Sequence, residues 1–249
     1  MFYLRDRIMK KLLVPAVLAM LLPYAVFASY EDALTLFHEK KYGDSLNRIA
    51  GDLAVGRDMD AKSPNYELRF LAAHNHWKMG NHEPAISHFK RCIEIQREIV
   101  DPYVDLSLLL VELKRYQEAE AVAVRGLVLQ KNAMLYFLVG KSSFGVGNYW
   151  RAKEFFEKAI GMDPALYVAY NGLGCTLMRL ERYAHANTAF SAALSIAPSS
   201  AEILNNMALS LERLGKMNGA LAYLKKASEQ SPENPVIRAN LKRVSESKK

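Results

Sequence analysis

Apolar and small residues recur along this chain at a nearly constant interval, with polar residues between them. The clearest repeat is a column of alanines that are 33 or 34 residues apart: Ala85, Ala119, Ala152, Ala186 and Ala220. Within each interval the apolar positions follow the helical period and not the alternation of strands. A repeat of this length is typical of a solenoid, in which each unit buries its apolar face only against its neighbours.

Other columns keep the same register. One is aromatic or large: Phe89, Ala123, Phe156, Phe190 and Leu224. Two hold small residues: Cys92, Gly126, Ala159, Ala193 and Ala227 in one, and Ala73, Ser107, Gly140, Gly174 and Ala208 in the other. Small residues allow two helices to approach closely, and the rings then fill the holes between hairpins. Three glycines, Gly80, Gly147 and Gly215, are predicted to occupy the turns between paired helices, where a positive φ costs glycine least.

The columns resemble the tetratricopeptide repeat. The unit that begins at Tyr167 carries the family pattern best, with Tyr170, Leu173, Gly174, Tyr183, Ala186, Phe190, Ala193 and Pro198. The resemblance spans roughly residues 29 to 234. It implies an all-α, right-handed superhelical solenoid of about six helix hairpins, a fold that usually presents binding surfaces and rarely performs chemistry.

The register divides the chain into four parts. Residues 29–65 form a degenerate first repeat followed by a polar loop from Gly51 to Pro64, and residues 66–234 form five further repeats. One connection, at Gln130 to Asn132, is a residue short. Residues 235–249 are predicted to form a capping helix and a charged tail, with an amphipathic pattern of Val236, Ile237, Asn240, Leu241 and Val244. Solenoids need such a helix to cover their last apolar face.

Residues 1–28 follow a different pattern. Four basic residues precede the apolar run Leu12 to Phe27, which ends in small residues and is short for a membrane span. This pattern predicts a secretory signal peptide that is cleaved after Ala28, and therefore a periplasmic or otherwise extracytoplasmic protein. The end of the apolar run contains no cysteine to which a lipid could be attached, so a lipoprotein anchor is not expected. The alternative is an uncleaved anchor that holds the protein at the inner membrane.

Charge and composition exclude several function classes. The net charge of the chain is +7, of which residues 1–28 contribute +3, and the remaining basic residues form no stripe with interleaved aromatics. Nucleic acid is therefore a poor candidate partner. No nucleophile elbow, phosphate loop or zinc pattern occurs, so we predict no enzymatic activity, no metal and no cofactor.

The cysteines and histidines are interpreted as structural. Cys92 and Cys175 are three repeats apart, about 30 Å, whereas a disulfide needs Cα atoms within about 7 Å, so both are expected to be small apolar fillers. Four histidines cluster in one repeat: His74, His76, His82 and His88. We interpret them as packing and turn residues and not as metal ligands, because His74 and His76 point to different faces of one helix.

The first helix of each repeat lines the concave face of this fold, and the register predicts which side chains point there. The predicted partner-binding groove consists of Phe70, His74, Trp77, Val104, Leu108, Phe137, Lys141, Phe144, Asn171, Met178 and Asn205. It is apolar toward its N-terminal half and polar toward its C-terminal end. Aromatic anchors would bind an amphipathic helix or an extended peptide. Alternatively, some of these residues pack between helices, because the register can slip by a residue in degenerate repeats.

The sequence thus predicts an exported scaffold or adaptor that binds a protein or peptide partner, within a cell-envelope complex and in possible association with a membrane complex. One alternative is a periplasmic component that binds or delivers a small hydrophobic ligand. Another is an accessory subunit of an envelope enzyme or a polymer-secretion machine. The partner itself cannot be read from the fold, because solenoid grooves change specificity by surface substitution alone.

Overall fold

The computed structural model of the protein describes residues 24–55 and 65–247, and these residues form thirteen α-helices and no β-strand. The helices are α1 (Tyr24–His38), α2 (Tyr42–Val55), α3 (Asn65–Lys78), α4 (His82–Ile95), α5 (Asp101–Glu112), α6 (Tyr116–Leu129), α7 (Ala133–Gly145), α8 (Tyr149–Met162), α9 (Tyr167–Arg179), α10 (Tyr183–Ile196), α11 (Ala201–Arg213), α12 (Met217–Gln230) and α13 (Pro235–Glu246). The predicted all-α class, with six pairs of helices and one final helix, is confirmed.

Each pair is joined by three residues, and the middle one has a left-handed backbone. The three predicted glycines are among these residues, with φ of 79° at Gly80, 86° at Gly147 and 72° at Gly215. The other three turns use Lys40, Lys114 and Glu181, with φ of 63°, 60° and 58°. In the turn around Gly147, the Asn148 N–H donates to the Ser143 carbonyl at 2.9 Å and so satisfies the end of α7.

The small and aromatic columns form the core that the register predicts. All five residues of the alanine column are fully buried, as are Phe89 and Phe190, and Phe156 is 1% exposed. A Cβ atom added to Gly140 would lie 2.9 Å from the Phe156 ring, which is closer than real Cβ contacts. The small residues are therefore required because a ring lies directly against the helix backbone.

The chain separates into two compact units, with the boundary inside α5. Unit 1 extends to Leu109, and in it α1 packs on α2, α2 on α3, and α3 on α4. The degenerate first repeat is present in it, since Ala33, Ser45 and Ile49 are fully buried. The Ser45 hydroxyl donates to the Ala33 carbonyl at 2.7 Å and accepts from Asn75 Nδ2 at 2.9 Å, which ties this repeat to the next one.

Unit 2 begins at Leu110 and contains α6 to α13, each of which packs against the next helix in the chain. The connection Gln130–Asn132 between α6 and α7 has three residues, whereas those after α8, α10 and α12 have four. The last helix, α13, begins after an Asn234 cap and buries Ile237 and Val244 against the preceding helices. It thus covers the end of the apolar core as predicted, although Val236 is exposed and does not contribute.

The structure differs from the sequence prediction between the first two repeats. Helix α2 continues to Val55, so Gly51 to Val55 are helical and not part of the predicted loop. The rest of that loop lies outside the described residues, as do residues 1–23 of the predicted signal peptide. Helix α1 begins at Tyr24 and runs through the predicted cleavage point after Ala28. Among the helices that the structure describes, none is both long enough and apolar enough to cross a membrane.

Candidate functional site

The structure divides the eleven predicted groove residues into two groups. Six are buried in the core: Phe70, His74, Val104, Leu108, Phe137 and Asn205. Their packing matches the alternative interpretation, that part of the set lies between helices. The five that keep some exposure are Trp77, Lys141, Phe144, Asn171 and Met178. That these five contact a partner stays a prediction.

In unit 1 the aromatic residues of the predicted groove form a packed cluster around His74. Its ring lies edge-on to Phe70 at 4.7 Å and to Phe89 at 5.2 Å between centroids, and it stacks on Trp77 at 6.0 Å. On the imidazole edge, Nε2 is 3.3 Å from a carboxylate oxygen of Asp105. Because Phe70 and His74 are occupied by these contacts, they hold unit 1 together and offer no open apolar groove.

In unit 2 the first helices of successive hairpins are joined by asparagine side chains, which we call the amide ladder (Asn171, Asn205, Asn206 and Asn240). Asn206 Nδ2 on α11 donates to Asn171 Oδ1 on α9 at 3.0 Å. One repeat later, Asn240 Nδ2 on α13 donates to Asn205 Oδ1 on α11 at 2.9 Å. Both pairs are separated by 35 residues, so the same contact is made twice along the repeats.

Charged groups adjoin both rungs of the amide ladder. Asn171 Nδ2 donates to Glu202 Oε1 at 2.9 Å, and Asn240 Oδ1 accepts from Arg243 Nη2 at 3.3 Å. Arg243 also forms an ion pair with Glu212 of α11. The ladder is thus bordered by a carboxylate at one rung and by an ion pair at the other, so it lies in a polar environment.

Cys175 lies beside the first rung, and Asn206 Nδ2 is 3.5 Å from its sulfur. Burial raises the pKa of the Cys175 thiol to about 11, and the negative charge of Glu202 raises it further, while Lys141 on α7 opposes both. The thiol is therefore protonated at neutral pH and is a poor nucleophile. The contacts of Asn206 with Cys175 and of Asn171 with Glu202 bring side chains of α9 and α11 together on one face.

The first-helix face of unit 2 (Lys141, Asn171, Cys175, Met178, Glu202 and Asn206) can recognise polar groups. An amide side chain offers both donors and an acceptor, and Asn206 Oδ1 accepts from no group in the described part of the chain. A peptide backbone presents the complementary N–H and C=O groups. The arrangement is therefore suited to hold a polypeptide segment across successive repeats.

The described histidines of unit 1 do not belong to a cluster of three or more metal-ligating side chains. In the described ranges, no group of three or more histidine, cysteine, aspartate or glutamate side chains could hold a metal ion. His82 is the first residue of α4, the position that Tyr116, Tyr149 and Tyr183 take in later repeats, as the register predicts. His76 and His88 stack at 5.4 Å between ring centroids, a pairing that sequence spacing did not reveal.

Sequence reasoning also missed Asn206 and Asn240, which complete the ladder. The available signal was the spacing of 35 residues from Asn171 to Asn206 and from Asn205 to Asn240. The repeat register instead paired Asn171 with Asn205, because these two residues occupy the same position in successive repeats. Side chains that touch across two repeats are offset from those positions by one residue.

Comparison with protein families identifies the repeats. One family model described as tetratricopeptide repeat matches residues 171–235, and a second with the same description matches residues 66–99 and 134–166. Together the matched ranges take in slightly more than half of the chain. A comparison with the curated proteins gives no match.

Solved structures share the fold at low sequence identity. The chain is similar to PilW, described as a widely conserved type IV pilus biogenesis factor, with 16% identity over 90% of this chain and 99% of that one, and a TM-score of 0.74. It is similar to residues 41 to the end of MamA from Desulfovibrio magneticus, with 20% identity over 69% of this chain and 98% of that one, and a TM-score of 0.60. A chain of the Cut9–Hcn1 hetero-tetramer of the APC/C matches 95% of this chain at 18% identity and a TM-score of 0.74, and the match spans 46% of that chain.

Proposed function

Because the chain is built of tetratricopeptide repeats, we propose that it is an exported, non-enzymatic scaffold that binds an extended segment of a partner protein on the first-helix face of unit 2. The observation that carries this proposal is the amide ladder. Its two rungs repeat at 35 residues, so a bound backbone would meet similar donors and acceptors in successive repeats.

An extended peptide fits this face better than an amphipathic helix does. A helix in a groove needs apolar anchors, but Phe137, one of the aromatic residues predicted for this face, is packed in the core. An extended peptide exposes its own N–H and C=O groups, which the asparagine amides can satisfy. Met178, which is partly exposed on α9, would supply apolar contact beside the polar rung.

The alternative of a small hydrophobic ligand loses its main support for the same reason. Such a site is usually a concave pocket lined mainly by apolar and aromatic side chains. In this chain Phe70 and Val104 are buried, and four of the six residues of the unit 2 face are lysine, asparagine or glutamate. Polar lining favours a polypeptide over a hydrophobic small molecule.

Export and a role in the cell envelope rest on the N-terminal segment. Its basic start and its apolar run are typical of a secretion signal. From Ala28 onward, where the structure describes burial in α1, the buried residues are Ser29, Tyr30, Ala33, Leu34 and Phe37, and cleavage after Ala28 would keep all five in the chain. The likeness in fold to PilW, a pilus biogenesis factor by its description, is compatible with an envelope complex.

The test is site-specific photocrosslinking in the producing cells. A photoreactive phenylalanine analogue at Met178 places the probe beside the amide ladder, and the same analogue at Met162, 45% exposed on α8, is the control. We expect a discrete crosslinked partner from position 178 and none from position 162. Crosslinks of equal yield from both positions, or none from position 178, would contradict the proposal.

A second measurement ties the partner to the amide ladder. Asn206→Ala removes one rung, and loss of a hydrogen bond of this kind is expected to weaken affinity by about fivefold. Asn187→Ala is the matched control, because Asn187 donates to Ser210 at 3.1 Å and lies on the second helix of its hairpin. An equal effect of both variants would indicate a general loss of stability and not a contact with the partner.

A further inference from the structure

The first rung of the amide ladder is a cluster of three polar side chains from two helices. Asn171 on α9 donates to Glu202 Oε1 at 2.9 Å and accepts from Asn206 Nδ2 at 3.0 Å. Glu202 and Asn206 are four residues apart on α11, so they lie on the same face of that helix, one turn from each other. The amide of Asn171 is therefore bonded to both, and the three side chains form one polar surface.

Hydrogen-bond acceptors remain open on this surface. The Glu202 side chain is exposed, and within the described ranges it accepts one hydrogen bond, from Asn171, and forms no ion pair. A carboxylate can accept about four hydrogen bonds. Asn206 also keeps an open acceptor, because its contacts with Asn171 and Cys175 both use the Nδ2 group. The formal charge of the cluster is negative, so it suits a group that has a positive charge and several N–H donors.

The other charged groups of the first-helix face of unit 2 do not neutralise Glu202. Glu212 is already paired, because Arg243 Nη2 lies 2.9 Å from its Oε2 atom. Lys141 is the ninth residue of α7, whereas Glu202 is the second residue of α11. This offset of seven residues corresponds to about 10 Å along the helix axis, and α9 packs on both α7 and α11. The separation exceeds the Debye length of about 8 Å at physiological salt, so Lys141 acts only weakly on Glu202.

An apolar residue takes the place of Glu202 at the second rung. Glu202 follows Asn171 by 31 residues, and the residue that follows Asn205 by 31 is Val236, which is 60% exposed near the start of α13. Glu202 and Val236 therefore occupy equivalent positions one repeat apart. Helices that pack on each other are about 8–10 Å apart, a distance that an extended chain covers in about three residues. A segment that crosses both rungs thus meets a carboxylate at one and an apolar side chain at the other.

We propose that the partner segment carries an arginine or lysine that pairs with Glu202 and donates to Asn206 Oδ1, and an apolar residue about three positions away that contacts Val236. This inference rests on the proposed function, because it names the chemistry of the segment that the amide ladder holds. A guanidinium fits a carboxylate with two parallel hydrogen bonds, and an ammonium offers three donors. Contacts of the ladder with a peptide backbone are the same for any sequence, so the pair with Glu202 gives the face its selectivity.

The test selects peptides from a phage-displayed library of random dodecapeptides, with the full chain as bait. The selection is repeated with Asn206→Ala, and peptides that bind both baits equally are set aside, because they do not depend on the amide ladder. We expect the remaining peptides to be enriched in arginine or lysine with an apolar residue about three positions away. Glu202→Arg as bait is expected to enrich aspartate or glutamate at the basic position, because the charge that it presents is reversed.

The affinity of one enriched peptide separates the charge of Glu202 from any role of this residue in the stability of α11. Glu202→Gln is expected to weaken binding by about fivefold and to reduce its salt dependence, because an exposed ion pair is lost. Glu229→Gln is the matched control, since it removes an exposed carboxylate from α12 and should change neither quantity. Fluorescence anisotropy of the labelled peptide at low and moderate salt measures both.

The outcomes distinguish this inference from the proposed function. Peptides that depend on Asn206 but lack a basic residue would overturn the inference and leave the proposed function intact. Equal losses of affinity in Glu202→Gln and Glu229→Gln would do the same. A selection that yields no peptide dependent on Asn206 would overturn both.

Discussion

The Phe190 ring lies against the backbone of Gly174 so closely that an added Cβ atom would come within 2.4 Å of Phe190 Cε1. These two residues belong to paired helices of one hairpin, α9 and α10. The ring is fully buried, so other side chains surround it and restrict a shift that would relieve this contact. Glycine at this position is thus dictated by the aromatic column and not by the conformation of the backbone.

Gly174→Ala is expected to destabilise the protein by about 1–3 kcal/mol, because the new methyl group overpacks the contact with Phe190. The measurement is the free energy of unfolding in urea. Gly161→Ala is the control, since Gly161 lies within α8 and nothing is within 4 Å of its added Cβ. That variant should be stabilised by about 0.5–1 kcal/mol through helix propensity. Similar changes in the free energy of unfolding of both variants would contradict the close contact between Gly174 and Phe190.

Phe137→Ala is expected to reduce stability by about 3–5 kcal/mol, because its side chain is 6% exposed and its ring lies 5.8 Å from that of Phe156. Thermal unfolding followed by circular dichroism measures this loss. Phe155→Ala is the comparison, since Phe155 is partly exposed on α8 and its truncation should reduce stability less. A Phe137→Ala protein with an unchanged Tm and lost partner binding would instead restore the groove interpretation of the sequence.

His88 makes stability depend on pH. Burial lowers its pKa from 6.5 to about 4, so the folded state binds the proton less readily than the unfolded state does. The stability that the neutral His88 contributes to the folded state is fully present above about pH 6.5 and is lost as the pH falls toward 4. His88→Phe should lack this part of the acid destabilisation, as measured by urea unfolding at several pH values. His185→Phe, at an exposed position, should keep the profile of the unaltered chain, and an unchanged profile in His88→Phe would contradict the prediction.

The mature protein is expected to begin at Ser29. N-terminal sequencing of the protein from an extracytoplasmic fraction checks this directly. Protein in the cytosolic fraction that begins at Met1 or Met9 would contradict export, whereas a full-length chain in the inner membrane would identify the segment as an anchor. Ser29 Oγ accepts a hydrogen bond from Arg48 at 2.8 Å, so cleavage before this residue preserves a contact between α1 and α2.

The repeat register could be predicted from sequence because its causes are local and recur six times. Each repeat needs a left-handed turn between its two helices and a small residue opposite an aromatic ring. These requirements produce the same sequence pattern in successive repeats. Gly147 and Phe156 are therefore readable without any knowledge of neighbouring hairpins. The turns at Lys40, Lys114 and Glu181 were missed, because a turn of three residues holds a non-glycine residue in the left-handed region when the paired helices fix it.

The exposure of residues on the first helices was not predictable in the same way. Phe137 and Asn171 occupy equivalent positions, yet the first is buried against Phe156 and the second remains partly exposed beside Glu202. This difference in exposure arises because the adjacent helices place different side chains against the two positions. A periodic sequence determines which face of a helix turns toward the core, whereas only tertiary packing decides how much of that face a neighbour covers.

Hydrogen-bond partners in the amide ladder were likewise decided by tertiary structure. Asn171 bonds to Asn206 and not to Asn205, its equivalent in the next repeat, because contacting positions on adjacent hairpins are offset by one residue. Arg69 and Lys90 are 21 residues apart and line the same depression because α3 and α4 pack together. The sequence by itself therefore determined the repeats, the three glycine turns and the core columns, whose physical causes lie within one hairpin. Only the tertiary structure determined which residues form the candidate site, because their side chains come from different helices.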